Sequence, residues 1–141
     1  MCRMGKSWRW HDVRLYLLNS GTGEFGFIGL SAGKFVPICF CPGYARGLAF
    51  HSAYALIGFS TCRENRTFSG LPLDEALVAK NVEPRCGLQV VELRTGDVLH
   101  SLTITGVVRE LYDVVTLPGV QMPSALGFKT KEIRRTITIE E

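Results

Sequence analysis

The chain has 141 residues, 46% of them apolar and 21% charged, with a formal net charge of +3. That is enough chain for one ordinary domain with its own core. The basic residues are scattered, with no stripe or tail, which argues against nucleic-acid binding, and the longest uncharged run, residues 47–62, is too short to cross a bilayer.

Taken in chain order, residues 1–12 read as an N-terminal segment, non-native or disordered, ahead of one β-repeat domain spanning 13–141. Its basic residues have no apolar run behind them, so a secretory signal is not expected and the chain reads as a cytoplasmic protein. Within it Trp8 and Trp10 alternate, and packing into a core or an interface is their default role. Residues 13–18 form an apolar run closed by an Asn-Ser-Gly-Thr-Gly turn, and residues 25–30 and 35–40 flank Gly33, which supplies the positive φ of a short hairpin loop. Pro42-Gly43 then breaks the pattern, and the runs 47–50 and 53–59 read as the next two strands.

The character changes over residues 61–86, where a polar stretch, Arg63-Glu64-Asn65-Arg66, precedes a short helix over 72–80 with acids in its first turn and Lys80 near its end. Strand patterning resumes at 88–93 and 98–104, with a turn at Gly96, and a further apolar run occupies 112–117. Residues 133–139 alternate Ile and Thr and read as a terminal strand.

Residues 24–50 reappear in degraded form at 87–113, with Gly33 aligned on Gly96, Gly43 on Gly106 and Arg46 on Arg109, 63 positions on in each case. A sheet unit repeated in this way buries its apolar face only against its neighbours, which predicts an all-β, β-propeller-like fragment of antiparallel meanders. About two blades are expected, at 13–60 and 87–117, with a loop and short-helix insert at 61–86. A blade needs about 40 to 45 residues, so an insert of about 20 accounts for the spacing.

Several motifs suggest chemistry. Gly21-Thr22-Gly23-Glu24-Phe25-Gly26 matches a dinucleotide-binding string, but a strand follows it where a helix is required, so a glycine-rich hairpin is the better reading. His11, His51 and His100 share no ligand spacing, and no nucleophile sits in a recognisable elbow. The five cysteines lack zinc-type pairing and are expected reduced, with Cys39 and Cys41 buried on one face of a strand. Arg46 and Arg109 are either structural arginines, with Glu110 and Asp113 as available partners, or a pair of guanidinium groups facing a shared axis and holding a carboxylate or phosphate. Arg63, Glu64, Asn65 and Arg66 form a second ligand-contact candidate, because a polar loop on a rigid sheet is where binding groups concentrate.

The segments WHDVRLYLLNSGTGEFGFI, FCPGYARGLAF, ENRTFSGLPLDE, EPRCGLQVVELRTGDV, GVVRELYDVVTLPGV and ALGFKTKEIRRTI together resemble an uncharacterised bacterial family, domain of unknown function 4915, from about Trp10 to the C-terminus. Members of that family look like β-propellers and are usually longer, so the resemblance implies the C-terminal part of one. It also implies that Asn19, Arg46, Glu64, Asn65, Arg66, Arg85, Arg109, Glu110 and Asp113 belong to the family's motifs.

The function expected on these grounds is a ligand- or protein-binding module that needs no cofactor. One alternative is a metal-dependent lactonase or esterase, with Asn19, Glu64, Asn65 and Asp113 as oxygen ligands for calcium or zinc in a propeller channel. A second is a scaffold that self-associates or docks a protein partner through exposed strand edges.

Overall fold

The computed structural model describes residues 7–61 and 72–124. It contains two four-stranded antiparallel sheets, each a simple meander, and one short helix. The first sheet is β1 (Trp8–His11), β2 (Arg14–Asn19), β3 (Glu24–Gly29) and β4 (Lys34–Phe40). The second is β5 (Tyr44–His51), β6 (Tyr54–Ser60), β7 (Gly87–Glu92) and β8 (Val98–Thr103), with α1 (Pro72–Ala79) inserted between its two middle strands. Two blade-like meanders are thus present, but their bounds differ from those expected: the run 13–60 is divided between the sheets, the insert lies within the second sheet, and the first sheet begins before residue 13, with Trp8–His11 as its edge strand.

The local chemistry explains the turns. The β1–β2 hairpin closes on two residues, Asp12 and Val13, with φ of 40° and 58°, as a primed turn requires; Asp tolerates this conformation and a β-branched Val does not. In the β3–β4 loop Gly33 has φ 62° and donates to Gly29 O at 2.7 Å, and 63 residues later Gly96 has φ 82° and donates to Glu92 O at 2.8 Å. The same spacing relates Cys41 N to Gly23 O, 2.7 Å, and Ile104 N to Cys86 O, 2.8 Å.

The two sheets share one core. Side-chain alternation turns Tyr16, Leu18 and Phe25 of the first sheet onto Ala55, Ile57, Phe59 and Val91 of the second, all of them buried in one cluster. Tyr16 anchors it through ring contacts to Phe25 at 5.6 Å and to Phe50 at 5.1 Å. A buried hydrogen bond from Ser20 Oγ to Ala45 O, 2.6 Å, ties the sheets at one end.

The helix falls where the sequence placed it, and its acids, Asp74 and Glu75, lie in the first turn. It packs Leu73 and Leu77 against Tyr44, with Phe40 and Val82 around them. Leu73 N donates to Gly21 O at 2.9 Å, so the insert of the second sheet covers a loop of the first. Among the described residues no helix is long and apolar enough to cross a membrane. The strand expected at 133–139 lies outside the described residues.

Candidate functional site at the inner edges of the sheets

The edge strands β1 and β5 lie side by side, and a third stretch of chain, residues 109–116, runs past them. Leu111 N donates to Ser60 Oγ at 2.8 Å, Thr61 N donates to Arg109 O at 3.1 Å, and Thr116 Oγ1 donates to Phe50 O at 3.3 Å. Ser60 stands 40 positions after Ser20, as His51 does after His11 in the matching hairpin. Ser20 meets the backbone of β5 at Ala45 and Ser60 meets this third stretch at Leu111, so residues 109–116 occupy the place of a first strand in a following sheet. Two glycines make room for it: a Cβ on Gly47 would stand 2.5 Å from Val114 N, and one on Gly58 would stand 2.8 Å from Val114 Cγ2.

Between these three inner segments lies an open groove of about 260 Å³, lined by Arg9, Trp10, Phe50 and residues 114–116, among others. Arg9 points towards the second sheet because its register partner Tyr16 does, and its Nη2 lies 3.8 Å from Asp113 Oδ2. The other oxygen of that carboxylate, Oδ1, accepts from Val114 N at 2.9 Å. Arg46, half-buried on β5, holds its guanidinium 5.9 Å above the ring of Tyr112. His11 stacks flat on Phe50, with ring centroids 4.3 Å apart and planes 3° apart, and its Nε2 lies 3.0 Å from Ser52 O. The cluster therefore offers two guanidinium groups, a tyrosine ring and one carboxylate already engaged by Arg9.

Of the residues singled out in the sequence, Arg46 and Asp113 both lie along this inner edge, each with its own partner, Arg46 over the Tyr112 ring and Asp113 with Arg9. Their link runs through Gly47, whose Cβ position lies 2.7 Å from Asp113 C, and through Tyr112. Arg109 lies elsewhere. The contacts at Ser20 and Ser60 pair Ala45 with Leu111, which makes Tyr112 the counterpart of Arg46 and puts Arg109 three residues earlier, on the exposed connection. Expected to pair with Arg46 or Arg109, Asp113 pairs with Arg9.

Asn19 closes the β2–β3 turn through its carbonyl, which accepts from Thr22 N at 3.2 Å and Gly23 N at 2.9 Å. Arg63, Glu64, Asn65 and Arg66 lie outside the described residues, and Thr61, which holds Arg109 O, leads into them. Among the described residues no group of three or more His, Cys, Asp or Glu is placed to hold a metal ion. Arg9 was not singled out from the sequence; the signal available was its alternation with Trp8 and Trp10, which puts a cation and two indoles on opposite faces of one strand.

A second polar cluster lies inside the core. Gln89, buried, directs its amide Nε2 to Cys41 Sγ at 3.2 Å, Phe40 O at 3.3 Å and Cys39 Sγ at 3.5 Å. The two thiols share one side of the chain, as the alternation of Cys39 and Cys41 requires, but Cys39 is only half-buried. Its hydrogen bond to Cys41, aided by Gln89 and opposed by burial, lowers the pKa of Cys39 from that of an ordinary thiol, whereas the same bond and complete burial push that of Cys41 well above it. Burial and the nearby Glu110 carboxylate raise Cys86.

The family model for a domain of unknown function, DUF4915, matches residues 2–126. The chain belongs to that family. The match starts before Trp10, so the first residues and β1 lie inside the family region, and it stops before residues 133–139. Comparison with curated proteins and with solved structures returns no match.

Proposed function

We propose that the chain is a binding module that takes an anionic group, a carboxylate or a phosphate, in the groove at the inner edges of its two sheets. The observation that carries this reading is that two guanidinium groups stand along one inner edge, Arg46 over the ring of Tyr112 and Arg9 at the carboxylate of the next residue, Asp113. Arginine suits the task because its fork of N–H donors matches the two oxygens of such a group. An arriving anion takes Arg9 in exchange for Asp113 and meets Arg46, which Tyr112 already restrains. A half-buried guanidinium pays little further entropy on binding.

Reading the two sheets as part of a propeller supports the same place, since the first strands of successive blades would line a shared axis. Arg109, whose carbonyl accepts from Thr61 at the exit of β6, would form a rim to the same surface. Calorimetric titration with inorganic phosphate and with citrate tests the reading. Arg46→Gln is expected to reduce the affinity at least about tenfold, the loss of one charge-assisted contact, while Arg94→Gln, on the distant β7–β8 turn, leaves it unchanged. Equal affinities for wild type and Arg46→Gln would remove the proposal.

A further inference from the structure

Among the described residues nothing covers one face of the first sheet, and its composition is unusual for a surface. Trp8, Leu17, Gly26 and Pro37 form one row straight across all four strands, and Trp10, Leu15, Ile28 and Phe35 form the next. No residue in either row is charged. The two indoles are 56% and 59% exposed.

The corresponding rows of the second sheet are Leu48, Ile57, Gln89 and Ser101, then Phe50, Ala55, Val91 and Val98. Those rows face the first sheet, and Leu48, Ala55, Ile57, Gln89 and Val91 are all buried by it. The fold therefore buries this face where it has the means, and in the first sheet the larger Trp8 and Trp10 stand where the second has Leu48 and Phe50. A contiguous apolar patch of this kind marks an interaction surface.

We infer that this face docks on the same face of a second copy, sheet against sheet about a two-fold axis. Two features favour a copy of the chain in that arrangement. Two rows without charge meet their own image with no like-charge cost, the carboxylate of Glu24 in the row beyond them being engaged by Thr22, and two sheets of equal twist stack readily at about 10 Å separation. The head-to-tail alternative, in which the Trp face seats on the outer face of the partner's second sheet, is obstructed: residues 109–116 already lie along the first-strand place there, with Val114 over Gly58.

Strand spacing and rise give a projected face of about 19 Å by about 17 Å. Allowing for side-chain relief, that corresponds to total burial of roughly 1,000–1,200 Å², the low end for a specific interface, so the dimer should dissociate in the micromolar range. Strand-edge pairing is not involved, and of the residues named at the anion groove the face shares only Trp10.

Light scattering on the full chain over a concentration series tests the inference. The expected mass rises from 15.6 kDa to twice that value across the micromolar range. Trp8→Glu, at an exposed position and so compatible with folding, should weaken the dimer at least about 30-fold, since it removes a large aromatic contact and sets a charge in an apolar interface. Hydroxyl-radical footprinting supplies a second readout that needs no variant: protection of Trp8 and Trp10 should grow with concentration. A monomer at every concentration, a mass that climbs past the dimer, or a dimer indifferent to Trp8→Glu would each overturn it.

Discussion

Gly47→Ala is the perturbation that probes the inner edge most selectively. Gly47 has φ 75°, so any Cβ there incurs the cost of the left-handed region, about 1–2 kcal/mol. It also meets a wall of backbone: the new carbon would stand 2.5 Å from Val114 N, 2.7 Å from Asp113 C and 2.8 Å from Asp113 Cα. Backbone cannot rotate away as a side chain can, so residues 109–116 must shift. The bonds that hold them, from Leu111 to Ser60, Thr61 to Arg109 and Thr116 to Phe50, are then strained or lost at about 1 kcal/mol each.

Gly33→Ala is the matched control, because Gly33 has φ 62° and open space around its Cβ position. It incurs the conformational cost alone. Urea denaturation should therefore show Gly47→Ala less stable than Gly33→Ala by about 1–3 kcal/mol. Hydrogen exchange should quicken at Leu111 in the first variant and not in the second. Equal destabilisation of the two, with Leu111 exchange unchanged, would refute the placement of residues 109–116 against β5.

Other outcomes follow from the same structure. Val13→Asn should stabilise the chain by about 1 kcal/mol in thermal denaturation, since Val13 is exposed and holds a β-branched side chain at φ 58°, a conformation Asn tolerates. Phe25→Ala removes a fully buried ring stacked on Tyr16 between the sheets; a loss of about 3–5 kcal/mol is expected in urea, and a loss below about 1 kcal/mol would show that the sheets do not share a core. In native alkylation followed by peptide mapping, Cys39 should react before Cys41 and Cys86 and at lower pH, because its thiol is half-buried with a lowered pKa while theirs are buried and raised; first reaction at Cys41 would contradict the Gln89 geometry.

Much of the fold was legible because it rests on local signals. Period-two runs marked β2, β3, β4, β6, β7 and β8, and the acids ahead of Lys80 marked α1. β5 began earlier than expected, at Tyr44, since Pro42-Gly43 turns the chain without delaying the strand. The run 112–117 has strand composition but no strand partner among the described residues, because strand identity needs a neighbour that composition does not supply.

The site was less legible, for a different reason. The spacing of 63 holds through Ile104 and Cys86, then slips by three residues before Leu111. Sequence alignment therefore paired Arg46 with Arg109, whereas the hydrogen bonds pair it with Tyr112. Arg9 lies in a strand of only four residues, too short for periodicity to single it out. The contact between Arg9 and Asp113 spans most of the chain and leaves no local trace.

The central claim is that Arg46 and Arg9 together receive an anion, and side-chain NMR addresses it most directly. Arginine Nε–Hε resonances are followed during titration of the wild-type chain with inorganic phosphate. The account predicts that Arg46 and Arg9 shift together along one saturating curve while Arg94 stays in place. Shifts spread evenly over all arginines without saturation, or saturation confined to arginines other than these two, would contradict it.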